Sequence, residues 1–97
     1  AILAQSDLLA VGVIREAEAR GHAVPGDLSV TGFDGVRIDG LDGYDLTTMR
    51  QPVAEKGRAA GHAVARLLAG PDEAAGVTSA VFSCEFHRGD TTAAPAR

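Results

Sequence analysis

With 97 residues, a net charge of −4 and nine Lys and Arg scattered singly, the chain is too short for more than one domain and has no basic cluster with which to hold DNA by itself. Hydrophobic residues at 45% and charged residues at 23% describe a folding chain, and aromatics at only 4% leave the apolar mass to Ala, Val, Leu and Ile, which suits packed α/β layers. No apolar run approaches the roughly 20 residues of a membrane span, no leader pattern is seen, and the single cysteine, Cys84, excludes an internal disulfide, so the expectations are a cytoplasmic protein, no membrane partner and a buried structural thiol.

The chain begins abruptly on a short apolar run over 2–4, which reads as the middle of a buried strand and suggests a piece of a longer protein. Ser6 and Asp7 are both good helix N-caps. After them Leu8, Val11, Ile14 and Ala17 keep helical spacing, and Gly21 and Pro25 end the pattern, so a helix is predicted over 7–20. Residues 28–33 read as a second strand closed by Phe33-Asp34-Gly35. Strand, helix and strand with short links imply a right-handed parallel crossover, and in such sheets ligands bind outside the carboxyl ends of the strands. Residues 36–45 are loop-like. A third strand is predicted over 46–50, then a helix from Pro52 to about Ala69 with a stripe of Val53, Gly57, Ala60, Gly61, Val64, Leu67 and Leu68. Residues 71–76 read as a loop, 78–87 as a strand, and 91–97 as a polar, frayed tail.

Four landmarks occur in one order: Ser6-Asp7-Leu8-Leu9-Ala10-Val11-Gly12, the run from Gly21-His22-Ala23-Val24-Pro25 to Gly32-Phe33-Asp34, then Leu46-Thr47-Thr48-Met49-Arg50-Gln51-Pro52, then Arg88-Gly89-Asp90-Thr91. Together they resemble the C-terminal third of LacI/GalR-type transcription regulators, over essentially the whole chain. Two positions depart from that family's pattern: Asp45 stands where the family often has Pro, and Asp90 where it usually has Ser.

The resemblance implies an α/β fold with a parallel sheet and flanking helices, part of a periplasmic-binding-protein-like, Rossmann-like, three-layer domain. Residues 1–50 and 78–91 would belong to a C-terminal lobe, and 51–77 would pack on an N-terminal lobe across a ligand cleft. A helix-turn-helix headpiece for DNA would lie outside this chain.

By the same resemblance Asp34 is the first ligand candidate, since a carboxylate at a strand end accepts from the adjacent hydroxyls of a sugar or the N–H groups of a nucleoside base; the competing role is a turn with Gly35. Ser6 is a ligand contact or an N-cap, Asp7 a cap, a structural hydrogen bond or a further contact, and Gln51 a contact from the crossover or a helix cap. The family pairs C-terminal lobes into homodimers, which would place Val11, Ile14, Arg15, Ile38 and Leu41 at an interface. In the isolated chain the exposed stripe of the 53–69 helix and an open strand edge suggest self-association by exchange of that helix or of the 78–87 strand.

His22, His62 and His87 lack metal-ligand spacing, and no cofactor motif is present; Gly32-Phe33-Asp34-Gly35 is not a phosphate loop, because no helix start follows it. Arg88-Gly89-Asp90 matches an adhesion tripeptide by chance. With no nucleophile–base pair and no dinucleotide loop, an enzyme is not expected. The expected function is effector sensing for a transcription regulator. A periplasmic sugar-binding protein of a transporter is the alternative, and a helix-turn-helix or a signal peptide upstream would separate the two.

Overall fold

The structure is a computed structural model and describes residues 1–36 and 43–95. Among these residues the order is β1 (Ile2–Leu3), α1 (Asp7–Ala19), β2 (Val30–Thr31), β3 (Thr48–Arg50), α2 (Val53–Ala69), α3 (Pro71–Ala74) and β4 (Glu85–His87). The chain divides into two compact units, Ala1–Arg50 with Glu85–Arg97, and Gln51–Cys84.

In the first unit β1 and β2 are parallel, with Ile2 opposite Val30 and Leu3 opposite Thr31. Parallel neighbours cannot be joined by a tight turn, and α1 supplies the crossover. Parallel bridges at Thr31–Thr47 and Asp34–Arg50 carry the pairing on to β3, through Gly32 N to Thr47 O and Asp34 N to Met49 O, both 2.9 Å. β4 closes the series antiparallel to β3, with Thr48 opposite His87 and Arg50 opposite Glu85. The strand predicted over 78–87 is therefore short: only Glu85–His87 pairs, because β3 offers just three residues to pair with.

Ser6 caps α1, its Oγ accepting from Leu9 N at 3.1 Å. The buried stripe of α1 is Asp7, Ala10, Val11, Ile14 and Ala17, and it corrects the predicted face at its first position: Leu8 is 71% exposed. A three-residue spacing slips by about 60° per step on a 3.6-residue helix, so a run ending on buried Ala17 leaves Leu8 on the far side. The core joins Ala10, Ile14 and Ala17 to Val24, Val30 and Leu46, with Ala4, Val13, Leu28 and Tyr44 packed against it.

This core corrects part of the interface expectation. Ile14 and Val11 are 1% and 4% exposed within the chain's own fold and have no surface to give a partner, whereas Arg15 is exposed. Ile38 and Leu41 lie outside the described residues.

The predicted frayed tail is also corrected at its start. Thr91 is fully buried: its Oγ1 donates to Val30 O at 2.7 Å and accepts from Thr47 N at 3.0 Å, while Val30 N donates to Thr91 O at 2.9 Å. One hydroxyl thus completes the β2–β3 pairing where the two backbones no longer reach each other. The two departures from the family pattern meet beside it. Asp45 N donates to Asp90 Oδ1 at 2.8 Å, and Asp90 N donates to Asp45 O at 2.7 Å. A proline at 45 would have no N–H to give to Asp90 Oδ1. His87 Nε2 lies within hydrogen-bond distance of Asp45 Oδ1, at 2.8 Å.

In the second unit α2 and α3 are packed together, and Pro71–Ala74 is helical where a loop was predicted. Proline at N1 and Asp72 and Glu73 in the first turn favour that short helix. Arg66 reaches Glu73 at 3.9 Å. No described residue of α2 is buried, and Val53, Val64, Leu67 and Leu68 of its apolar stripe are all exposed.

Candidate functional site

The carboxyl ends of β1 and β2 and the adjoining end of β3 converge in the first unit. Ser6 and Asp7 follow β1, and Asp7 N donates to Phe33 O at 2.9 Å, which ties the start of α1 to the end of β2. Asp34 follows at once, half-buried, with its backbone at φ 128 and its N–H on Met49 O. Gly35, at φ 75, is pressed onto β3: a Cβ there would lie 2.7 Å from Arg50 Cα and 2.8 Å from its Cβ. Asp34, Arg50 and Glu85 occupy matched positions on three adjoining segments, an acid, a base and an acid across the edge.

The four ligand candidates fare differently. Asp34 stands at the strand end where it was expected. Ser6 follows β1, half-buried, one residue before the Asp7 N–H that donates to Phe33 O, with its hydroxyl accepting the cap bond from Leu9. Asp7 is corrected: it is 1% exposed and both carboxylate oxygens are taken, Oδ1 by Thr48 Oγ1 at 2.6 Å and Oδ2 by Val36 N at 2.9 Å. At 1% exposed it offers no surface to a ligand, and the cap role belongs to Ser6. Gln51 opens the second unit, half-buried, where its Oε1 accepts from Lys56 Nζ at 2.6 Å and its carbonyl accepts from Val53 N at 2.9 Å.

Sequence reasoning passed over Arg50, Thr48 and Thr91 as site-building residues. The signal for Thr48 was present in part: two adjacent hydroxyls, Thr47 and Thr48, in a strand flanked by Leu46 and Met49 call for buried acceptors, but nothing local points to Asp7, 41 residues away. Gly32 shows the same packing from the other side, since a Cβ there would meet Asp7 Oδ1 and sit 2.9 Å from Leu46 Cδ2. No buried side-chain polar atom among the described residues lacks a partner. Away from this edge, Tyr44 donates its hydroxyl to Glu18. That bond raises the phenol above its ordinary value of 10.0, helped by partial desolvation and by the negative charges of Glu18 and Asp90. No described helix is long and apolar enough to cross a membrane.

Residues 1–92 match the family model of the periplasmic binding protein-like domain. An HTH-type transcriptional regulator of Mycolicibacterium smegmatis is 43% identical over 99% of this chain and 25% of its own length. The HTH-type transcriptional repressor CytR of Escherichia coli is 35% identical over 98% of this chain and 28% of its own length. Among solved structures, a LacI family transcriptional regulator from Arthrobacter in complex with lactose superposes with a TM-score of 0.72 at 31% identity, covering 95% of this chain and 35% of that one. The chain thus spans about a quarter of the length of these curated relatives.

Proposed function

This chain belongs to the periplasmic binding protein-like domain family, in the form found in LacI-type transcription regulators, and we propose on that premise that it senses a small-molecule effector of the sugar or nucleoside class for such a regulator. The observation that carries the proposal is Asp34, a half-buried carboxylate held at the carboxyl end of β2 in a backbone conformation that side-chain-bearing residues rarely adopt. A carboxylate has four acceptor positions and no donors, so it suits a ligand that presents neighbouring O–H or N–H groups. Ser6, after the carboxyl end of the neighbouring strand β1, is a further candidate. The lactose in the Arthrobacter relative supports a sugar as the first class to test.

Effector binding would act by favouring one of two lobe arrangements of the complete regulator, which shifts the population competent to bind DNA. A net charge of −4 leaves the DNA contact to another part of that regulator. In this reading the regulator is a cytoplasmic homodimer and not an enzyme, with Arg15 the exposed interface candidate among the described residues. Gln51 is kept as a separate effector-contact candidate on the ground of the resemblance.

The test is a thermal-shift screen of the full-length regulator against lactose, maltose, ribose, cytidine and adenosine, followed by calorimetry of any hit against Asp34→Ala. Each charge-assisted hydrogen bond contributes roughly 1.5–3 kcal/mol, so affinity should fall by about ten-fold or more. Equal affinity in the two proteins overturns the role of Asp34, and a regulator stabilised by none of the probes overturns the ligand class.

A further inference from the structure

Asp7 is the buried acid of the described structure, and the proposed effector contact leaves it without a role. Burying a carboxylate is costly unless its lone pairs are matched. The groups that match it all belong to the frame around Asp34. Oδ2 accepts from the amide of Val36, two residues after Asp34, at 2.9 Å. Oδ1 accepts from Thr48 Oγ1 at 2.6 Å, two residues before Arg50, which is the strand neighbour of Asp34. The backbone N–H of Asp7 donates to Phe33 O, on the residue before Asp34. Gly32 passes so close that a Cβ there would lie 3.1 Å from Asp7 Cα.

Asp34 itself stands at φ 128, where an L residue does not rest without outside constraint. The chain is fixed on each side of it by bonds to one residue, and that residue also fixes β3 beneath it. We infer that Asp7 is the positioning residue for Asp34: its two carboxylate oxygens, taken by the Val36 amide and the Thr48 hydroxyl, hold the Asp34–Gly35 reversal in the shape that presents the Asp34 carboxylate. The functional consequence rests on the reading of Asp34 as the effector ligand; the positioning itself does not.

Asparagine keeps the size and can still pair, its Oδ1 accepting from the Val36 N–H and its Nδ2 donating to the Thr48 hydroxyl, so Asp7→Ala is the variant that removes both bonds. Thr48→Val keeps the shape and removes the donor, and Thr48→Ser restores it. Amide hydrogen exchange of the 97-residue chain, followed by NMR, reads the result. In Asp7→Ala and in Thr48→Val, exchange at Asp34 and Val36 should quicken by about ten-fold or more, as expected of a local opening. Exchange at Ile14 and Val30 should stay within about two-fold of the parent, since the core is untouched. Thr48→Ser should return Asp34 and Val36 to the parent rate. If the Asp34 and Val36 amides keep their protection in both variants, or if Ile14 and Val30 lose theirs in step, Asp7 is a general stabiliser and the inference is overturned. No effector enters this measurement, so a failure here is separate from a failure of the effector reading.

Discussion

Replacing Gly35 by alanine tests the close packing of the Asp34 reversal on β3. Two costs arise. The backbone at φ 75 is left-handed, which costs an L residue about 1–2 kcal/mol. The new Cβ would lie 2.7 Å from Arg50 Cα. That atom cannot swing aside, because Met49 O holds Asp34 N and Arg50 is paired with Glu85. Forcing a methyl into such a contact costs typically about 1–3 kcal/mol. The expected loss is therefore about 2–5 kcal/mol, a large share of the roughly 5–15 kcal/mol of a small domain. Gly21→Ala is the control, since Gly21 has φ 82 and nothing within 4 Å of its would-be Cβ. It should show the backbone cost alone. Urea unfolding of the three proteins, with the slope compared as well as the midpoint, gives the numbers. Equal losses in Gly35→Ala and Gly21→Ala would refute the packing argument and leave only the backbone one.

Thr91→Val keeps the shape of a fully buried side chain but strips the hydroxyl from Thr47 N and Val30 O, and should cost about 2–4 kcal/mol in urea unfolding; a loss under about 0.5 kcal/mol would show that water replaces it. Ile14→Asp puts a carboxylate among Ala10, Ala17 and Val30, so circular dichroism should show loss of the fold, and a folded variant altered only in its association would return Ile14 to the interface. Tyr44 is the only tyrosine and there is no tryptophan, so absorbance near 295 nm follows its ionisation cleanly. Its folded value is raised, so the contribution of the Glu18 bond to stability is complete below pH 10.0 and fades as pH climbs through the folded value. Glu18→Gln should move the midpoint down towards 10.0, and an unmoved midpoint would remove Glu18 as the cause.

The sequence alone determined the parts that local physics dictates. A helix cap at Ser6 or Asp7, Gly21 as terminator and the existence of α1 follow from backbone sterics and helical period, and the strand–helix–strand order leaves a parallel crossover as its compact solution. The same order placed Asp34 at a carboxyl end, before any contact was known. Tertiary structure decided what depends on residues far apart in the chain. It gave Asp7 to Val36 and Thr48, 29 and 41 residues away, and so took it out of the ligand candidates. It turned the helix so that Ile14 and Val11 face inward, because a three-residue spacing fits more than one face. It carried Thr91 from an expected loose tail into the seam between β2 and β3, where a hydroxyl bridges two backbones. A sequence displays a polar group's capacity to bond; only the assembled fold shows which distant donor or acceptor fills that capacity, and therefore which polar groups remain for a ligand.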